Sequence, residues 1–178
     1  IQKSLAGRKV GLTLELGGKA ANIVYEDAAI DQAIEGVVNG IFFNQGHVCC
    51  AGSRLLIQES IHDEFISKLE KRMQSLRVGN PLDKNTDIGA INSKEQLNKI
   101  TNLVNEGVSD GGNIFQTECE LPGNGFWFKP TLFTNVQPSY SIAREEIFGP
   151  VLTTLTFRTP DEAVELSLIH ISEPTRPR

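Results

Sequence analysis

No apolar run in this chain approaches the length needed to cross a bilayer, so no membrane segment is expected. Charge of one sign is not concentrated either. The net charge of -5 and the scattered arginines argue against nucleic-acid binding as the main task, because affinity for a phosphate backbone needs clustered lysine and arginine. Cysteine is scarce, with three in 178 residues and two of those adjacent, which makes no disulfide framework and fits a reducing compartment. The cytoplasm is therefore expected, with a mitochondrial location left open. A metal site is discounted: His47, Cys49 and Cys50 lie too close together to wrap a tetrahedral ion, and no CxxC or HxxxH partner exists. The chain also lacks an initiating methionine and enters a strand-like run soon after Ile1, so it reads as a piece of a longer protein in which the missing signal peptide carries little weight.

What is present is ordinary for a globular protein, with 39% hydrophobic and 22% charged residues. Leu12 to Leu16 alternates and reads as a strand leading into Gly17 and Gly18, and Asn22 to Tyr25 as a second. From Asp31, a good N-cap, Ile34, Val37, Val38, Ile41 and Phe42 recur at helical spacing, which predicts a core-facing helix to about Phe43. Leu55 to Gln58 reads as a strand, and Ser60 as the cap of a helix whose inner face is Phe65, Leu69, Met73 and Leu76. Ser93 and Gln96 form a capping box for a helix burying Leu97, Ile100, Leu103 and Val104. Strands are expected at Ile114–Gln116, Phe126–Val136 and Val151–Phe157, and a last helix at Thr159–Pro160–Glu162, with proline in the first helical position. Strands alternating with helices predict an α/β fold with a largely parallel sheet.

The stretch Phe42 to Arg54, FFNQGHVCCAGSR, places a thiol just past a predicted helix end and between Gly46 and Gly52. A thiolate nucleophile needs nearby backbone N–H groups and a backbone that can approach its substrate, and the two glycines supply that freedom. Cys49 is the candidate nucleophile. The alternative is that Cys49 and Cys50 are buried, inert thiols.

Three segments together resemble one family. LELGGK at 14–19, FFNQGHVCCAGSR at 42–54 and EEIFGPV at 145–151 are similar to motifs of the aldehyde dehydrogenase superfamily, and their separations agree with it too. The likeness extends to about Leu166 and includes NPLD at 80–83 and PTLF at 130–133; LRVGNPLDKNTDIGA further resembles the first domain of aldehyde dehydrogenase family 16. The resemblance implies an incomplete aldehyde dehydrogenase-like fold. Residues 1–17 would be a remnant of the Rossmann-like cofactor domain and 18–165 most of the catalytic domain.

By the same resemblance, Cys49 is the nucleophile and Glu15 the general base of an NAD- or NADP-dependent oxidation of an aldehyde to a carboxylic acid. Glu146 accepts hydrogen bonds from a ribose of the cofactor, Leu16, Gly17 and Phe148 lie beside its nicotinamide, and Phe43, Val48 and Cys50 line the aldehyde path. The implied oxyanion hole combines the Cys49 backbone N–H with an asparagine that lies outside this chain. The partners implied are a small aldehyde and, in the complete protein, further copies in a homo-oligomer. Other readings of single residues stay open: Glu15 as a surface strand residue, Glu145 and Glu146 as a solvated acidic pair, Phe43 as core.

The sequence departs from the family at His47, where glutamine is common, and at Ala20 and Ala21, where Ser-Pro is usual. The pyrophosphate-binding helix start and the residues that choose between NAD and NADP are not in this chain, so alone it is expected to be inactive. The last stretch, LSLIHISEPTRPR at 166–178, resembles read-through of a sequencing-library adapter and is set aside from fold reasoning. A non-catalytic scaffold of the same fold and a thiol-dependent acyl transferase or esterase are the competing functions. Cys49, Glu15 and Glu146 occurring together argue against the first, and Glu146 in its IFGP setting against the second.

Overall fold

The computed structural model describes residues 1–168; beyond α1 (Gln2–Leu5) the elements are β1 (Ala21–Val24), α2 (Ile30–Phe42), β2 (Arg54–Gln58), α3 (His62–Met73), α4 (Lys94–Ser109), β3 (Asn113–Gln116), β4 (Thr131–Thr134), α5 (Ser141–Arg144), β5 (Val151–Phe157) and α6 (Pro160–Leu168). The strands form one sheet in the order β1-β2-β5-β4-β3. All neighbours are parallel except β3, which runs antiparallel to β4 at the edge. The tail set aside at 166–178 begins inside α6, and its remainder from 169 onward lies outside the described residues.

Helices cover both faces of the sheet, as a parallel sheet requires. Strand alternation sends Leu55 and Ile57 of β2 to one side, where they meet the predicted stripes of α2 (Ile34, Val37, Val38, Ile41, Phe42) and α3 (Phe65, Leu69, Met73). Leu56 turns to the opposite face, against Leu155, Phe157 and Ala163 of α6. On that same face Phe133 and Val151 pack with Ile100, Leu103 and Val104 of α4 and Ile142 of α5. Helical periodicity thus located the inner faces of all three long helices, although Leu97 of α4 is only half-buried.

Several local expectations are corrected. Leu12 to Leu16 forms no strand: it is extended chain with Leu14 53% and Leu16 54% exposed, because no neighbouring strand pairs with it, and an alternating pattern alone cannot make a stable strand. Asp31 is not the N-cap of α2; Ala29 holds that position, and the Asp31 carboxylate instead pairs with Lys68 of α3 at 3.1 Å. α2 also stops at Phe42, and residues Phe43–Gly46 make a 3-10 turn with left-handed Asn44 and Gln45. Ser60 donates to Glu26 Oε2 at 2.7 Å rather than capping α3. The stretch Phe126–Val136 pairs only over Thr131–Thr134, since Pro130 has no N–H to give to a ladder. The edge helix α5 was not foreseen. Ser93 does cap α4, accepting from Gln96 N–H at 3.1 Å, but the Gln96 side chain does not reach back as a capping box would.

Among the described residues no helix is long and apolar enough to cross a membrane.

Candidate active site

The three motif segments enter the sheet at one end. β1, β2 and β5 are consecutive neighbours running parallel, and Ala21 and Thr153 both stand opposite Arg54 in the ladder. Residues 15–20, 43–53 and 145–150 precede these three strands, so the loops bearing Glu15, Cys49 and Glu146 all gather at the amino ends of adjacent strands. Ligands of open α/β sheets commonly sit at the carboxyl ends. Here the cysteine loop between α2 and β2 occupies the middle of the opposite edge.

Cys49 and Cys50 are exposed in a turn that follows the 3-10 segment, closed by Ala51 N–H donating to Val48 O at 3.0 Å. Neither thiol is buried within this chain. Val48 is half-buried against the core beneath α2, whereas Phe43 is 72% exposed and takes no part in the core of this chain. The turn is packed hard against the carboxylate loop: at Gly46, with φ of 77°, a Cβ would collide with the Gly149 carbonyl, so only glycine fits.

The carboxylate loop is held from several sides. Gly18 N–H donates to Glu146 Oε1 at 3.1 Å, and the carboxylate lies against Gly17, where a Cβ would stand only 2.8 Å from Oε2. Gln96 Nε2, on the first turn of α4, donates to Ile147 O at 2.8 Å and Phe148 O at 2.9 Å, and Lys99 Nζ donates to Glu146 O at 2.8 Å. Glu146 is therefore no free surface carboxylate. Oε2 accepts no hydrogen bond among the described residues, so the group presents one anchored and one open oxygen. That is a fit for the hydroxyls of a ribose, which donate to a carboxylate.

One buried group and one half-buried group complete the site. Lys19 is 1% exposed, its Nζ has no hydrogen-bond partner among the described residues, and burial, helped by the Arg54 guanidinium and opposed by Glu146, pulls its pKa down to about 7. The imidazole of His47 stacks on Phe148 with ring centroids 5.3 Å apart and planes 28° from parallel. Its Nε2 accepts from Asn92 N–H at 3.4 Å, while Nδ1 is a buried atom with no hydrogen-bond partner among the described residues. Burial pushes the imidazole pKa down, against a smaller raising effect of the Phe148 backbone carbonyl.

Of the residues picked from sequence, the structure brings Gly17 and Glu146 into contact and sets Phe148 two residues beyond. Glu15 and Leu16 lie exposed on the extended run, and no hydrogen bond joins Glu15 to Cys49 among the described residues. Lys19, Gln96 and Lys99 were missed as site residues. The position of Lys19 immediately after Gly-Gly was the one available signal; Gln96 looked like a capping residue, and nothing local points Lys99 to a carbonyl 47 residues away.

A thiol loop and an anchored carboxylate loop thus precede neighbouring parallel strands. The chain belongs to the aldehyde dehydrogenase family, whose sequence profile matches residues 1–167. It is 46% identical over 157 residues to retinal dehydrogenase 2 of Taeniopygia guttata, covering 86% of this chain and 30% of that protein. It is 45% identical over 156 residues to an aldehyde dehydrogenase of Emericella nidulans, covering 87% and 31%. Among solved structures it resembles an NAD-dependent aldehyde dehydrogenase from Sinorhizobium meliloti, with TM-score 0.82, 44% identity and coverage of 86% and 31%. It also resembles betaine aldehyde dehydrogenase from Staphylococcus aureus in complex with NAD+, with TM-score 0.84, 37% identity and coverage of 93% and 34%. The chain thus spans about a third of the length of the relatives it matches. The finer likeness to family 16 is not confirmed by these comparisons.

Proposed function

We propose that this chain carries the thiol, the base and the ribose-binding carboxylate of an enzyme that oxidises an aldehyde to a carboxylic acid with NAD or NADP. The observation that supports it most is the convergence of three loops, those of Glu15, Cys49 and Glu146, on the amino ends of three adjacent parallel strands. The NAD+ complex of the Staphylococcus aureus relative favours NAD as the cofactor.

In this reading the Cys49 thiolate adds to the aldehyde carbon, forming a C–S bond and an oxyanion to which the Cys49 backbone N–H donates. A bound nicotinamide supplies the hydride acceptor. Glu15 then takes a proton from water, the hydroxide attacks the thioester carbon, and the C–S bond breaks to release the carboxylic acid and the thiolate. Glu146 holds a ribose through its open Oε2, while Leu16, Gly17 and Phe148 flank the nicotinamide. Phe43, Val48 and Cys50 border the path of the aldehyde. The chain by itself, without the pyrophosphate-binding part, is inactive.

The test is Cys49→Ala in the complete subunit that carries this sequence. Aldehyde-dependent reduction of NAD is expected to vanish while NAD binding stays within about twofold, since the ribose contacts lie elsewhere. Cys50→Ala should be mild. Full turnover in Cys49→Ala would overturn the reading.

A further inference from the structure

Phe148 has a left-handed backbone, with φ of 55°, which a residue bearing a Cβ adopts only when its surroundings impose it. Two of the constraints come from one helix turn and one loop. Gln96 fixes the carbonyls of Ile147 and Phe148, and His47 lies across the Phe148 ring. The segment that delivers His47 is equally constrained, with Asn44 and Gln45 at φ of 49° and 47° and Gly46 wedged against Gly149. Its end is pinned by His47 N–H donating to Asn44 O at 2.9 Å and by Asn44 Nδ2 donating to His47 O at 3.2 Å.

This position asks for two properties at once. A flat ring is needed to cover the face of Phe148, and an acceptor to receive the Asn92 N–H. An imidazole whose Nε2 accepts has both. Glutamine, common here in the family, offers the acceptor without the ring, and phenylalanine the ring without the acceptor.

We propose that His47 is a positioning residue for the nicotinamide cofactor that acts through Phe148. Anchored by Asn92 and stacked on the phenyl ring, it fixes where Phe148 stands relative to Cys49, two residues further along its own loop. The proposal rests on the reading of Phe148 as a neighbour of the nicotinamide given above. An aromatic pair of this kind is worth a few-fold in an equilibrium, so the effect to look for is modest and specific.

The experiment compares His47→Ala, His47→Gln and His47→Phe in the complete subunit, reading the Kd for NAD by isothermal titration and the rate of Cys49 alkylation by iodoacetamide. His47→Ala and His47→Gln are expected to weaken NAD by about two- to tenfold, while His47→Phe, which keeps the ring and loses the acceptor, weakens it least. Alkylation of Cys49 should stay within about twofold of wild type in all three, which a general loosening of the loop would not allow. Rescue by glutamine and not by phenylalanine would overturn the proposal, because it would put the work in the Asn92 bond alone. So would an unchanged Kd across the series. Should His47→Ala fail to fold, the glutamine and phenylalanine variants decide. Because neither readout needs turnover, an enzyme inert toward aldehydes would sink the proposed activity and leave this test standing, and a wild type that does not bind NAD would overturn both.

Discussion

Gly18 and Glu146 are joined by a 3.1 Å hydrogen bond from backbone N–H to Oε1 across 128 residues of sequence. The bond ties the loop before β1 to the loop before β5, and its strength is that of a charge-assisted contact. The next residue back, Gly17, is where that carboxylate presses. Gly17→Ala should therefore push Glu146 off its station, since the new methyl would meet the carboxylate carbon at 2.9 Å. The expected result is a weakening of NAD by about tenfold or more, as for loss of one hydrogen bond to a charged group. Calorimetric titration of the complete subunit checks it. An unaltered Kd would mean the carboxylate can do its work from elsewhere.

Lys19 gives a pH dependence with a definite sign. Its folded pKa of about 7 lies below the ordinary lysine value of 10.5, so between these values the unfolded chain binds more protons than the folded one. Stability should then rise with pH across that window, by up to about 1.4 kcal/mol per pH unit, and show no contribution from Lys19 below about pH 7. Urea midpoints of wild type and Lys19→Met, compared between pH 7 and pH 10, are the measurement. The slope is expected in the wild type and absent from the variant, and parallel curves would refute the assignment.

Gln96 and Ser93 separate helix capping from loop support. Ser93→Ala removes an N-cap and should cost about 1 kcal/mol without touching the carboxylate loop. Gln96→Leu leaves the carbonyls of Ile147 and Phe148 without their donor, a loss of roughly 1–3 kcal/mol. Amide hydrogen exchange at residues 146–149 should accelerate in Gln96→Leu and remain unchanged in Ser93→Ala.

Much of the fold was legible because it is written locally. The stripes Ile34–Val37–Val38–Ile41 and Phe65–Leu69–Met73 repeat at the helical period, and Val151–Phe157 is strand in the structure over the same residues. Leu12–Leu16 misled because its alternation is a strand pattern that still requires a neighbour. The motif cysteine and carboxylate were legible through resemblance, but what positions them was not. His47 meets Phe148, and Gln96 meets Ile147, only after the sheet has brought distant loops together, and no spacing rule within either segment encodes such a meeting.

Glu15→Gln tests the base. Loss of general-base assistance typically slows a step by about a hundredfold to ten-thousandfold. If Glu15 serves hydrolysis of the thioester and not its formation, stopped-flow absorbance should show a burst of reduced NAD followed by slow turnover. A steady-state rate equal to wild type would remove Glu15 from that role.

That same substitution has a second consequence, which follows from the unpaired run at 10–16. Val10, Leu12, Leu14 and Leu16 are all exposed there, on a backbone with no sheet partner. Read as a segment, VGLTLEL has the composition of a strand that stacks on copies of itself, and Glu15 is its single charge. The residue proposed to activate water would thus also act as a gatekeeper against self-assembly. Wherever the run is left uncovered, as on a nascent chain still emerging from the ribosome, neutralising Glu15 would hasten association into β-rich aggregates, and a low yield of the glutamine variant would report on solubility before it reported on catalysis.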